Sequence, residues 1–151
     1  VLEAYDYLFS MDIEDIYASC KYKKFDKEKW IQKVERCYGN MSHQIRNLKE
    51  KELLVEAEKR QHRIELIVEK WDELKNSCYF TLPSPQALIT ILKDTGAIYS
   101  PKELGVDRQL FKDSLTVAKE IRNRYGIMQL LDDVGMLEEV AEHITCKYYD
   151  N

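Results

Sequence analysis

Between Leu82 and Ile144 helix starts and stops follow one another so closely that only a series of short, packed helices fits. Ser84 followed by Pro85 reads as an N-cap with proline at the first helical position, where its missing N–H costs nothing. Gly96 closes the segment that carries Leu88, Ile89, Ile91 and Leu92, because glycine takes the left-handed conformation that ends a helix. Ser100, Pro101 and Glu103 form a capping box around a second proline, and Gly105 ends that turn. Asp107 caps a helix expected to turn Leu110, Phe111, Leu115, Ala118 and Ile121 to the core before Gly126 ends it. Ile127 to Val134 and Met136 to Cys146 then make two further short helices separated by Gly135. No alternating run of β-branched residues bounded by turn signals remains, so no strand is expected.

The amino-terminal half follows the same helical period. Val1, Leu2, Tyr5, Leu8 and Phe9 recur at helical spacing from the first residue, which predicts a helix already under way there and a preceding segment. Ile13 to Cys20 make a second short helix, and Asp26 caps a third with Trp30, Ile31, Val34 and Tyr38 on one side before Gly39. Met41, Ile45 and Leu48 restart the spacing. The longest element is expected from Leu53 to Cys78, where Ile64, Ile67, Trp71, Leu74 and Cys78 form a narrow stripe that needs a partner helix. A Glu56–Arg60 pair on it is worth only a few tenths of a kcal/mol. A coiled coil is the competing reading, but the stripe fails around Arg60 to Arg63. The expected fold class is therefore all-α, a multi-helix bundle, with residues 1–151 as a single helical domain.

Composition excludes several classes of function. With 44% apolar and 33% charged residues the chain is globular, and no apolar run approaches the roughly 18 residues a membrane span needs. No segment reads as a signal peptide, so a cytoplasmic location is expected. Cys20, Cys37, Cys78 and Cys146 lie far apart and read as free thiols. The net charge of −4, with a mild cationic excess only between residues 21 and 75, gives no nucleic-acid footprint. The ten tyrosines gather toward the amino end, and around Tyr22 only Lys21, Lys23 and Lys24 supply neighbouring cations. Half-buried packing aromatics explain them better than a base-stacking surface.

Candidate chemistry is sparse. The chain has no glycine-rich phosphate loop after a strand and no nucleophile elbow. His43, His62 and His143 are dispersed. His143 and Cys146 share one helical face, but a closed zinc site needs about four ligands, so the pair reads as incidental and no metal, cofactor or catalytic residue is assigned. The remaining candidates are Arg122, Arg124 and Tyr125 in the run Arg122-Asn123-Arg124-Tyr125. Cations in a last helical turn complement its free carbonyls, and a structural role outweighs substrate binding.

The ordered series Leu-Pro-Ser-Pro, Lys-Asp-Thr-Gly-Ala, Ser-Pro-Lys-Glu-Leu-Gly-Val, Ile-Arg-Asn-Arg-Tyr and Asp-Val-Gly-Met-Leu resembles the carboxyl-terminal part of the glycerol-1-phosphate dehydrogenases. The AraM type is the nearest, within the iron-containing alcohol dehydrogenase and dehydroquinate synthase-like fold. The resemblance is good over residues 82–144 and loose before them. It implies an enzyme with a dinucleotide-binding domain followed by a helical domain, of which this chain would be the carboxyl-terminal part. It also implies NAD(P) and a divalent metal, zinc or nickel, held by an Asp and two His that would precede Val1. In such an enzyme a nicotinamide hydride passes to the carbonyl of dihydroxyacetone phosphate, with the metal as Lewis acid. This portion would wall the substrate cleft, place Arg122, Arg124 and Tyr125 near the body of the domain, and be inactive alone. Its expected partners are the missing N-terminal domain and a second copy, through an exposed first-helix side made by Leu2, Tyr5, Leu8 and Phe9. The alternative is a self-standing helical interaction module, with Ile64, Trp71 and Leu74 offering a groove to a partner helix.

Overall fold

The computed structural model describes residues 1–22, 26–121 and 124–150, and the side chains of these except 19, 21, 22 and 50–58. The regular structure among the described residues is entirely helical. The elements are α1 (Leu2–Phe9), α2 (Ile13–Tyr22), α3 (Lys27–Tyr38), α4 (Ser42–Glu69), α5 (Trp71–Thr81), α6 (Pro85–Asp94), α7 (Arg108–Val117), α8 (Ile127–Asp133) and α9 (Leu137–Tyr149). Short 3-10 turns, Gly39–Met41 and Ala118–Ile121, lead into α4 and out of α7. No helix among the described residues is long and apolar enough to cross a membrane.

The core forms around α8 and α9. Leu130, Leu131, Val134, Met136, Leu137, Val140 and Ile144 are buried, and Gly135, at φ +77°, reverses the chain between the two helices. The reversal is closed by Met136 N–H donating to the Leu131 carbonyl at 2.7 Å. Helix α1 packs against both α8 and α9, and α7 packs along α9. Trp71 completes this cluster, with its ring 5.4 Å from that of Phe9.

Three of the expected caps form as read, whereas the capping box expected at Ser100 and Glu103 does not, since Glu103 N–H bonds the Ser100 backbone carbonyl at 3.2 Å, and the helix capped by Asp107 ends at Val117 rather than at Gly126. Asp26 accepts from Lys29 N–H at 3.0 Å, Ser84 from Ala87 N–H at 3.2 Å and Asp107 from Leu110 N–H at 2.9 Å. The Ser100–Gly105 segment is a set of turns, in which Val106 N–H reaches the Pro101 carbonyl at 3.1 Å and Gly105 has φ +70°. Three expectations are corrected. The long element begins at Ser42 and divides at Lys70, whose φ −103°, ψ 18° falls outside the helical region although neither glycine nor proline is near. Trp71, the first residue after the bend, is buried and packs against Phe9. The stripe of Ile64 and Trp71 is covered within the chain, at 4% and 5% exposure, so it offers no groove to a partner. Of the residues expected to face the core, Phe111 and Leu115 pack against it, but Leu110 on α7 and Ala118 and Ile121 in the turn after it are exposed, while Asp113, Thr116 and Val117 are buried, because α7 packs between α3 and α9.

The first helix differs from expectation as well. Ala4 and Leu8 are fully buried, and Leu2, Tyr5 and Phe9 are half-buried, so the apolar side of α1 is covered by the chain's own α8, α9 and Trp71. The Lys21–Lys24 surroundings of Tyr22 and the Glu56 side chain lie outside the described residues.

Leu8→Ala is expected to cost about 2–5 kcal/mol of unfolding free energy, since it leaves a cavity in the main core. Leu110→Ala, at a position 56% exposed, is expected to stay within about 0.5 kcal/mol of the parent. Urea denaturation compares the two. Equal losses would contradict this assignment of faces.

Candidate functional site

A cavity of about 840 Å³ opens between α3, α4, α7 and α8, and its wall is mostly charged side chains. Lys49, Arg60 and Arg63 enter it from α4, spaced so that a helical repeat of 3.6 residues keeps them on neighbouring rows of one side. Lys119 and Glu120 enter from the 3-10 turn after α7, and Asp132 and Asp133 from the last turn of α8. The 3-10 turn matters here. Its tighter winding at the end of α7 leaves Ile121 in solvent and Glu120 only 5% exposed.

Charge taken out of water must be paired and hydrogen-bonded, and the cavity wall meets that requirement. Asp133, 3% exposed, is the centre of one network. Arg63 donates through Nε to its Oδ2 at 3.0 Å, and the Tyr125 hydroxyl donates to the same oxygen at 2.9 Å. The Arg63 guanidinium also lies 5.5 Å from the Tyr125 ring centre, within cation–π range. Arg60 instead caps the end of α8, donating to the Asp133 backbone carbonyl from Nε at 3.1 Å. This satisfies a carbonyl that has no intrahelical partner and places a cation at the negative end of the helix.

A second network joins α4, the 3-10 turn and α8. Lys119 bridges Glu120 and Asp132, the latter at 3.0 Å, while Lys49 approaches Glu120 at 4.0 Å. Burial opposes the charge on Lys119, but Asp132 and Glu120 outweigh it and hold the ammonium above the ordinary lysine value. A third joins α3 to α7. Arg36 forks onto both oxygens of Asp113, one at 2.7 Å, and Gln109 donates to Asp113 at 3.0 Å. Burial works against the Asp113 carboxylate, yet these donors hold it below the usual aspartate range.

Of the candidates read from sequence, Arg122 lies outside the described residues, Arg124 is exposed and Tyr125 is half-exposed at the cavity edge. Burial, with Asp133 alongside, pushes the Tyr125 phenol well above its ordinary range. It is therefore protonated at neutral pH and serves as a donor to Asp133. His143 stacks against Tyr7 with ring centres 4.6 Å apart. Cys146 lies 3.5 Å from Glu142 Oε1 and accepts from Arg108 at 3.4 Å. No group of three or more metal-binding side chains occurs among the described residues.

Sequence reasoning passed over Asp133, Lys119 and Glu120. One signal pointed to the site, the failure of the apolar stripe at Arg60 to Arg63, where the cavity lies.

The glycerol-1-phosphate dehydrogenase [NAD(P)+] of Geobacillus stearothermophilus is 32% identical to this chain over 93 residues. The match takes in 57% of this chain and 22% of that relative, so the chain spans less than a quarter of the relative's length. The sequence matches no protein-family model, and no solved structure matches it.

Asp133→Ala is expected to cost about 3 kcal/mol, because it strands the Arg63 charge in a partly buried site. Tyr125→Phe removes one donor and is expected to cost about 1 kcal/mol. Chemical denaturation measures both, and a neutral Asp133→Ala would contradict the network. For Asp113 the folded pKa lies below the unfolded one, so its stabilisation is in place above about pH 4 and is lost as pH falls through the folded value. Asp113→Asn is expected to flatten that acid limb of the stability profile.

Proposed function

We propose that this chain is the carboxyl-terminal helical portion of an NAD(P)-dependent, metal-dependent glycerol-1-phosphate dehydrogenase, and that it walls the cleft in which dihydroxyacetone phosphate and glycerol 1-phosphate interconvert. The observation that carries this reading is the 32% identity over 93 residues to the Geobacillus stearothermophilus enzyme. The all-helical fold supports it, since the resemblance implies a helical domain.

Among the described residues no group fits a metal, and the sequence offers no loop that fits a dinucleotide. The described residues bring no three metal-binding side chains together, and the sequence has no glycine-rich turn after a strand to cradle a pyrophosphate. In this reading those groups belong to the rest of the enzyme, and no chemical step is assigned to this chain. Its contribution is mechanical and electrostatic: a packed α8–α9 core that fixes the cavity wall, and paired charges that hold that wall in one arrangement. Arg122, Arg124 and Tyr125 remain as residues beside the substrate domain. The same reading places the enzyme in the cytoplasm and makes its N-terminal domain the natural partner.

A second reading, a self-standing helical interaction module, is favoured by the apolar residues that α6 leaves exposed, Leu88 and Ile91. One experiment separates the two. The chain is produced as given and also extended by its upstream coding sequence, and both are assayed for NADH- and NADPH-dependent reduction of dihydroxyacetone phosphate with zinc or nickel. The extended protein is expected to be active and the 151-residue chain inactive. An upstream sequence without a dinucleotide-binding domain, or an extended protein inactive with either metal, would overturn the dehydrogenase reading.

A further inference from the structure

Helix α6 is apolar on two sides. It packs against α1, with Ile89 and Leu92 half-buried, yet Leu88 and Ile91, one turn apart, are 39% and 57% exposed. The polar side chains of the helix, Gln86, Thr90, Lys93 and Asp94, leave these two outside the side that packs on α1, so the apolar arc of α6 is wider than its cover. Beside it, Tyr79 and Phe80 end α5 at 79% and 83% exposure with their rings edge to face, and the three-residue link to α6 contributes Leu82. Ile98, 54% exposed, follows the helix. From Asn76 to Leu92 there is no charged residue, in a chain that is 33% charged.

We propose that this face, the end of α5 with the outer side of α6, is where a second copy of the chain docks about a twofold axis. Area supports a stable contact. Large aromatics present roughly 150–250 Å² each, so the six residues together offer on the order of 600 Å² per copy and about 1,200 Å² for two, above the roughly 1,000 Å² that a specific interface needs. Charge supports a copy as the occupant. In a twofold contact any charge near the axis meets a like charge, and the uncharged stretch avoids that repulsion where the rest of a chain of net charge −4 would incur it. The apolar side of α1 is covered within the chain, so the proposed contact lies on α6 instead. The inference rests on this surface alone and is independent of the dehydrogenase reading.

Sedimentation equilibrium on the 151-residue chain tests it, with the variants Leu88→Glu/Ile91→Glu and Phe80→Ser. The wild type is expected to show twice the monomer mass at high micromolar concentration. Both variants are expected to raise the dissociation constant at least about tenfold with an unchanged helical circular dichroism spectrum. Should the double variant lose helicity, Phe80→Ser decides alone, because an exposed ring can be truncated without opening the core. A monomeric wild type would overturn the proposal and leave the face to a different polypeptide. A dimer that neither variant weakens would overturn it in favour of another surface.

Discussion

The reversal of the chain at Gly135 is the constraint on which the rest of the structure depends. A left-handed glycine at φ +77° and the short bond from Met136 N–H to the Leu131 carbonyl set α8 back against α9. Both helices then bury most of their apolar residues in one cluster, from Ile127 to Ile144. The other elements gather on that pair. Helix α1 covers one part with Ala4 and Leu8, Trp71 fills in beside Phe9, and α7 lies along α9. Burial of this kind is worth about 1.5–3 kcal/mol for each large side chain only if the two helices meet in a fixed register, and the tight turn supplies that register.

The polar cavity depends on the same arrangement. Asp132 and Asp133 close α8 just before Gly135, so fixing the reversal also fixes where the half-exposed Asp132 carboxylate and the buried Asp133 carboxylate sit. They are tolerable there because Arg60, Arg63, Lys119 and Tyr125 arrive from three other segments to meet them. Buried ion pairs add little net stability, but each partner left alone is costly. The network therefore acts as a check on register: a slip of α4 along α8 would strand charges, whereas a slip of purely apolar helices would cost less.

Much of the fold was legible because helix ends are local. Asp26, Ser84 and Asp107 cap through their own side chains, and Gly96, Gly105 and Gly135 take positive φ whatever packs around them. The division of α4 from α5 was not legible, since neither glycine nor proline near Lys70 marks it and the buried Trp71 beside it reads as part of one continuous stripe. The inward side of α7 was misread for a related reason. Periodicity put its apolar residues inside, which holds for Phe111 and Leu115, but Asp113, paired with Arg36, is buried while Leu110 is exposed. The site was the least legible part. Asp133 and Arg63 are separated by 70 positions, and only the tertiary fold brings them together. Even so, the break in the apolar stripe at Arg60 to Arg63 marked where charge enters.

If the α8–α9 pair is the centre and α6 a peripheral helix awaiting a cover, their stabilities should separate. Native-state hydrogen exchange measures this directly. The amides of Leu131, Val140 and Ile144 are expected to exchange only through global unfolding, with a free energy equal to that from chemical denaturation, while those of Ile89 and Leu92 in α6 exchange through a cheaper local opening. Exchange of the α9 amides as fast as those of α6, or protection of α6 equal to that of α9 in the monomer, would contradict the account.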